Sequence, residues 1–465
     1  MANVLAAQTR SSQVYGEPGT LAYIKTRLTE IVHWELDRGL PSVSLSLVKG
    51  NAIVWSAAFG VSNVALNTSA TTETLYMTAS TLKPITATAM LTLVDQGKCE
   101  LDDPVNMYID NELINDNVTI RSLLDHTSGL SDIGGQDQRY TTNVWNRRRL
   151  NVPILEDIVE SLESVESVGK TWRYNNSAYT LVGLLIEKIS GMPFEQYVVD
   201  HVMEPVGGTT KQPFNPTAEM AERMSFNYNR KLGGELEIAE QNFDGLYPAG
   251  DARMRAEDMA RFLGAHINNG VFNGHRILSQ ELVDASHVVN MDQYGLGWWI
   301  FLDGNGNTMI THGGNWPSAV TAILGDKDAK VGAYVMTNVG QTQATYRIAE
   351  SAVRLLRGET VKARNRSVMP LDLSVLRQFT GRYKQPNGVE ITIEAGDGSL
   401  RYLYPLEPPY NGIVYTYFPI SDSVFLEPDI GIELEFTIDE TGNLLGFHMR
   451  QHGWLKYGYT KKLLD

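Results

Sequence analysis

Residues 80–97 read STLKPITATAMLTLVDQG. Apolar residues recur there at helical spacing and Gly97 supplies a stop, so the stretch predicts a helix over 80–95. Ser80 and Lys83, three residues apart, share one face of such a helix, and the ammonium can reach the hydroxyl. The Ser80 backbone N–H is also one of the first-turn donors without a helical partner, so it can help hold an oxyanion. The same Ser-x-x-Lys quartet recurs at Ser46–Lys49 and Ser167–Lys170, so the quartet alone decides nothing. Ser46 falls in a predicted strand, where residues three apart point to opposite faces. The Ser167 quartet contains Gly169 and sits in a polar stretch. Only Ser80 opens a helix, where it serves either as nucleophile or as N-cap.

Outward from this helix, residues 20–38 carry Leu21, Ile24, Leu28 and Ile31 on one face and end at Gly39 and Pro41, which predicts an amphipathic helix. Val43, Leu45 and Leu47 alternate with serines, Lys49-Gly50-Asn51 turns, and 53–59 is extended again: a hairpin. A mostly helical segment follows over 80–290, with helices at 178–189 and 256–267. Strand character returns at 308–312, 319–325 and 331–338, and a helix is predicted over 342–357. The simplest assembly is one antiparallel sheet built from both ends of this segment, with the terminal helices on one face and the helical insertion as a second lobe. The fold class is α+β, and the cleft between the lobes is the expected site.

Residues 358–370 (GETVKARNRSVMP) are polar, basic and closed by a proline. They predict a linker, placed at 361–370, between a first domain over 1–360 and a second over 371–465. The second reads as short, aromatic-rich, alternating runs at 389–393, 400–404, 414–418, 424–426, 432–438, 444–449 and 454–459, separated by turns such as Gly396-Asp397-Gly398. That pattern predicts a small all-β barrel.

A serine hydroxyl is a poor nucleophile until a base takes its proton. Lys83 can do so if burial or a nearby charge lowers its pKa, and a tyrosinate beside the lysine can do so too. The tyrosine candidate is Tyr174 in Trp172-Arg173-Tyr174-Asn175-Asn176-Ser177, just before a helix, with Asn176 placed to bond Lys83 or a substrate amide. Thr311-His312-Gly313-Gly314-Asn315 runs a strand into two glycines, which lets a substrate backbone approach closely. Trp298, Trp299, Trp316 and Tyr247 lie beside these segments, as pocket walls or as ordinary core aromatics.

A net charge of −15 argues against nucleic acid and anionic membrane surfaces as partners. Cys99 is the single cysteine, so no intrachain disulfide forms, and it reads as a small buried hydrophobe. The first twenty residues show no signal-peptide pattern and no apolar run is long enough to span a bilayer. The expected location is the cytoplasm, or the periplasm or exterior if a leader was trimmed. No Gly-x-Ser-x-Gly elbow, His-Glu-x-x-His or P-loop is present.

Ser80-x-x-Lys83, Tyr174-x-Asn176 and His312-x-Gly314 occur in the order and rough spacing of the three motifs of penicillin-binding proteins and serine β-lactamases. The chain resembles the branch holding class C β-lactamases, D-aminopeptidases, alkaline D-peptidases and β-lactamase-like esterases. Residues 123–130 (LLDHTSGL), 97–104 (GKCELDDP) and Pro248-Ala249-Gly250 add to the likeness, which covers about 20–355, and the small β domain resembles the lipocalin-like appendage of some peptidases of this branch.

The resemblance implies the β-lactamase/transpeptidase-like fold and an acyl-enzyme on Ser80. Tyr174 and Lys83 would share acid–base work, and the Ser80 and Asn315 N–H groups would form an oxyanion hole. His312 would stand where many relatives carry lysine, orienting the substrate with a charge that varies near neutral pH. Asn176, Gly314, Asn315, Trp316 and Tyr247 would line the substrate site. Asn175 and Ser318 depart from the residues commonest at their positions, and His126 reads as structural. The implied function is a peptidase or amidase acting on small peptides with D- or unusual residues, for instance linearised cyclic peptides of the microcystin type. The alternatives are a carboxylesterase, a β-lactamase or DD-peptidase, and an acyl transferase or peptide cyclase. No metal and no organic cofactor is implied, and the oligomeric state is not read from the chain.

Overall fold

The computed structural model describes residues 17–463 apart from 38, 133–154, 156–158, 215, 231–234, 240–246, 317, 341, 362–368, 386–387, 397, 406–413, 428–431 and 452–454. The chain divides into two compact units, Met1–Gly340 with Ile348–Val361 and Gln341–Arg347 with Lys362–Asp465. Most of the predicted linker, at 362–368, lies outside the described residues.

The first unit is built on a seven-stranded antiparallel sheet. Its order is Trp299–Leu302, Thr308–Trp316, Ala319–Asp326, Val331–Thr337, Ser42–Lys49, Ala52–Asn63 and Thr68–Ser69. The N-terminal hairpin therefore pairs with the last strand of the unit, with Leu45 opposite Val335, and the helical segment is an insertion between two halves of one sheet. The serines that alternate along Ser42–Lys49 are buried as well as the apolar residues. Ser42 donates to Asn338 at 2.7 Å and accepts from the Tyr76 hydroxyl at 2.8 Å, and the Ser46 and Ser56 hydroxyls meet at 3.0 Å. These contacts meet, for Ser42 and Ser46, the demand that a buried polar group be hydrogen-bonded, while the Ser44 hydroxyl finds no partner among the described residues.

The helix Ala256–Ile267 lies on the sheet over two glycines that face each other across a strand pair, Gly325 opposite Gly332. A Cβ on Gly332 would stand 2.5 Å from Leu263 Cδ2, and one on Gly325 would stand 2.8 Å from Ile267 Cγ2. The absent side chains are what let the helix seat this low. In the helical lobe, Lys83–Asp95 packs against Asn176–Ser190 in a core that includes Leu91, Leu181 and Leu185.

Three differences from the sequence prediction bear on function. Ser80 does not sit in the α-helix: Ala79–Leu82 is a single 3₁₀ turn, and the α-helix begins at Lys83 with Pro84 in its first turn, where a missing N–H costs nothing. The strand Trp299–Leu302 was not foreseen. The second unit is a closed barrel of eight antiparallel strands where seven were predicted. The missing one is Gly381–Lys384, which closes the ring by pairing Tyr383 with Lys462. Only four residues long and polar but for Tyr383, it carries almost no periodic signal. Phe379, Tyr383, Phe425, Phe436 and Phe447 belong to one buried cluster that fills the barrel core.

Gly332→Val should overpack the buried helix–sheet contact and cost about 1–3 kcal/mol. A shift of the urea midpoint with unchanged slope is the expected result; an unmoved midpoint would mean that the helix has room to lift.

Candidate active site

Ser80 lies on a turn held from several sides. The Thr78 carbonyl accepts from Thr81 Oγ1 and Thr321 Oγ1, both at 2.6 Å, and the Thr78 N–H donates to Ala252 O at 2.9 Å. Ala79 has φ +47°, in the left-handed region that a residue with a Cβ enters only at a cost. The cost is met by close packing. A Cβ on Gly314 would fall 2.1 Å from Thr321 Oγ1, 2.6 Å from the Thr78 carbonyl and 3.0 Å from Ala79 Cβ. A Cβ on Gly250 would lie 3.1 Å from Ala79 C. The second glycine of the His-x-Gly motif thus serves the approach of its own strand to the nucleophile turn, where the sequence reading assigned it to the approach of substrate.

One turn on, Lys83 is fully buried. Its Nζ donates to Asn176 Oδ1 at 2.7 Å, Ala249 O at 2.9 Å and Ser80 Oγ at 3.2 Å. It also stands 4.7 Å from the Tyr174 ring centroid and 5.6 Å from that of Tyr179. Burial pulls the lysine down to about 7, against the opposing pull of the Asp132 carboxylate. Near neutral pH a substantial fraction is therefore the free amine, able to accept a proton.

The Ser80 hydroxyl acts on the Tyr174 phenol in the direction that favours the phenolate. Burial nonetheless holds its phenol above the ordinary tyrosine range, and Asp132 pushes it further up. The sequence reading allowed a tyrosinate base; burial here favours the neutral phenol at Tyr174 and the free amine at Lys83.

The helix Asn176–Ser190 sets these groups in place. Asn175 caps it, accepting from the Ala178 N–H at 2.7 Å, and its amide donates to Leu130 O at 2.9 Å and Ser131 O at 3.2 Å. The departure at Asn175 is thus a clamp between the Tyr174 motif and the LLDHTSGL stretch. Asp132 accepts from Ser177 Oγ at 2.9 Å and from the Ser177 N–H at 3.2 Å. His126, at φ +64°, accepts the Asn175 N–H on Nδ1 at 3.2 Å, and its ring lies 4.5 Å from that of Tyr174. It is a packing partner of the site, in line with its structural reading.

His312 is buried, and both ring nitrogens are engaged. The Gly313 carbonyl, 2.8 Å away, can only accept, so Nδ1 carries the proton and Nε2 accepts from the Tyr294 hydroxyl at 3.0 Å. Burial and the Lys83 charge bring it down to about 3. The expectation of a charge varying near neutrality is corrected: His312 is a neutral imidazole throughout that range, because the cation has no water to stabilise it.

The remaining candidates divide. Trp299 joins Trp172 and Tyr294 in an aromatic group reaching Tyr174, with Trp172 and Trp299 5.1 Å apart. Trp298 is core, stacked on Phe262 at 6.0 Å, and Tyr247 packs between Phe194 and Phe214. Asn315 is exposed at the end of its strand, with Trp316 packed on Met77 and Ala319. Cys99 is buried, its thiol raised to about 11, so it is no thiolate. Asp132, Tyr294, Trp172 and the Ala249 carbonyl were missed. None lies in a catalytic spacing, although Trp172 and Ala249 were each part of a quoted stretch. Among the described residues no cluster of metal-ligating side chains occurs and no helix is long and apolar enough to cross a membrane.

An antiparallel sheet with a helical insertion, and a buried lysine one turn after a serine at their junction, define a β-lactamase/transpeptidase-like protein. Residues 22–357 match the Beta-lactamase protein family, and the chain belongs to it. Members of this family are serine hydrolases. Penicillin-binding protein 4* of Bacillus subtilis (strain 168) is 24% identical over 422 residues, 84% of this chain and 89% of that protein. The octameric penicillin-binding protein homologue from Pyrococcus abyssi shares the fold with a TM-score of 0.64 at 22% identity, over 94% of this chain and 98% of its own. The D-amino acid amidase from Ochrobactrum anthropi SV3 does so with a TM-score of 0.58 at 20% identity, over 72% and 98%.

The lysine carries a thermodynamic signature. An unfolded lysine stays protonated up to about 10.5, the folded one only to about 7. Between these values the unfolded state holds the extra proton, so stability rises with pH. Relative to Lys83→Met, the wild type should gain stability from about pH 6 to about pH 9. Parallel urea curves across that range would reveal a Lys83 that stays charged in the fold.

Proposed function

We propose that this protein is a serine peptidase or amidase that cleaves amide bonds beside D- or otherwise unusual residues through an acyl-enzyme on Ser80. The observation that carries the reading is the 3.2 Å contact between Ser80 Oγ and a fully buried lysine amine held on its other sides by Asn176 and Ala249. In this reading neutral Lys83 takes the Ser80 proton as Oγ attacks the carbonyl carbon. The Ser80 and Asn315 N–H groups receive the oxyanion. The C–N bond then breaks; Tyr174 delivers its proton to the leaving amine, and Lys83 passes the proton it took from Ser80 on to Tyr174.

The neutral state of His312 supports amides and esters over substrates recognised by a free carboxylate, because a fixed cation is the usual anchor for the latter. That counts against the β-lactamase and DD-peptidase alternatives. The likeness to a D-amino acid amidase supports the amide preference. A linearised cyclic peptide with D-residues is the larger substrate of this class. The carboxylesterase alternative shares every step but needs less help for its leaving group.

D- and L-alanyl p-nitroanilides, with p-nitrophenyl acetate alongside, test the reading. The D-amide should be cleaved in preference, and Ser80→Ala should abolish turnover of all three. Cleavage of the ester alone would favour the esterase; activity surviving in Ser80→Ala would remove Ser80 from its role.

Tyr174→Phe should lower the acylation rate by about 10²-fold or more, the scale of a positioned acid–base group. The kcat/KM of the wild type should rise with an apparent pKa near 7 as Lys83 loses its proton, about 7 being its value in the fold. A profile flat through that region would exclude lysine as the base.

A further inference from the structure

Asn176 and Ser177 begin one helix, and each holds one side of the site. Asn176 Oδ1 takes the Lys83 ammonium at 2.7 Å. The next residue, Ser177, gives both its N–H and its hydroxyl to Asp132 Oδ1, at 3.2 and 2.9 Å. Asp132 is thus tied to the helix turn that grips the lysine. It is half-buried, where charge–charge effects exceed those in water.

The surroundings of Lys83 make this carboxylate conspicuous. The groups facing Nζ are the Ser80 hydroxyl, the Asn176 amide, the Ala249 carbonyl and the rings of Tyr174 and Tyr179. The titratable neighbours are Tyr174 and Tyr179, kept as neutral phenols by burial, and His126 and His312, kept as neutral imidazoles by burial and by the lysine itself. Among the described residues Asp132 is the one acidic side chain that acts on Lys83, and it opposes the effect of burial. It acts on Tyr174 as well, in the direction that disfavours the phenolate.

We propose that Asp132 is a positioning residue for Lys83: its carboxyl group is tied to Ser177, the residue after the Asn176 that grips the lysine amine, and it serves as the counterweight to that buried amine. Without it, burial alone would leave a weaker base. With it, the lysine keeps enough proton affinity to accept from a serine, and the phenol stays protonated for delivery to a leaving group. The inference rests on the reading of Lys83 as base given above.

Asp132→Asn separates charge from anchoring, because the amide oxygen can still accept from the Ser177 N–H and hydroxyl. The measurement is kcat/KM against pH on whichever chromogenic substrate the wild type turns over. The acidic limb should move down by about one pH unit, the scale of a carboxylate acting on a half-buried cation. Asp132→Glu should move it back toward the wild-type position. Ser177→Ala loosens the anchor but leaves the charge, so it should reduce stability with a smaller displacement of the limb than Asp132→Asn. A purely structural Asp132 would give the opposite ranking, with Asp132→Asn unmoved. If Asp132→Asn does not fold, Asp132→Ser keeps an acceptor and serves as the second neutral variant. A wild-type limb near pH 7 that stays in place in the neutral variant overturns this inference alone. A wild-type profile without that limb overturns the reading of Lys83 itself.

Discussion

A lysine amine buried away from solvent is the constraint on which this site depends. Burying an ammonium costs several kcal/mol unless it is paired or gives up its proton. Among the described residues no carboxylate touches it. Three oxygen atoms, from Ser80, Asn176 and Ala249, satisfy its donors, and burial draws its proton affinity toward neutrality. Each oxygen comes from a different part of the chain: the 3₁₀ turn, the start of the helix Asn176–Ser190, and the Tyr247–Gly250 turn. The lysine is therefore a test of the fold, since its environment exists only when all three segments meet.

Close approach of backbones is the means by which they meet. Gly314 admits the Thr78–Ala79 backbone to the strand, and Gly250 admits it from the other side. Gly183 leaves space for Pro248, whose Cγ would lie 2.5 Å from a Cβ there. Pro248 O in turn takes the Thr86 hydroxyl at 2.6 Å. Small residues at the contacts and hydroxyls on the orphan carbonyls turn a strained Ala79 into a fixed one. This pre-organisation is what a nucleophile turn needs, because misplacement of the hydroxyl by an ångström is expensive in rate.

Much of this was legible from periodicity and spacing. Helix 256–267 and the strands at 319–325 and 331–338 carry strong local patterns, and the structure places them within a residue or two. Ser80, Lys83 and Asn176 were picked out by company in the chain, and the structure places their polar atoms within hydrogen-bonding distance. What escaped the sequence was whatever depends on three-dimensional surroundings. No local pattern marks Tyr294 among 21 tyrosines as the partner of His312. Asp132 lies 45 residues from the serine it caps. The sequence left the base open between Lys83 and a tyrosinate and expected His312 to titrate near neutrality; residue type sets the starting pKa, and burial, which a sequence shows only indirectly, moved both His312 and Tyr174.

The neutral imidazole at 312 changes the electrostatic character of the site more than the exchange of one basic side chain for another suggests. A lysine at that position would project a permanent charge; the histidine spends Nδ1 on its own strand's Gly313 carbonyl and Nε2 on Tyr294. It cannot gain a proton cheaply, because burial and the nearby Lys83 both resist a second cation. Among the described residues the formal charge left near Ser80 is then a partly protonated lysine and the carboxyl group of Asp132. Attraction for an anionic substrate is correspondingly weak. In the proposed reading discrimination comes instead from shape and from hydrogen bonds to an uncharged acyl group, with half-buried Trp172 beside Tyr174, and Trp299 packed on it, as apolar side chains near the site.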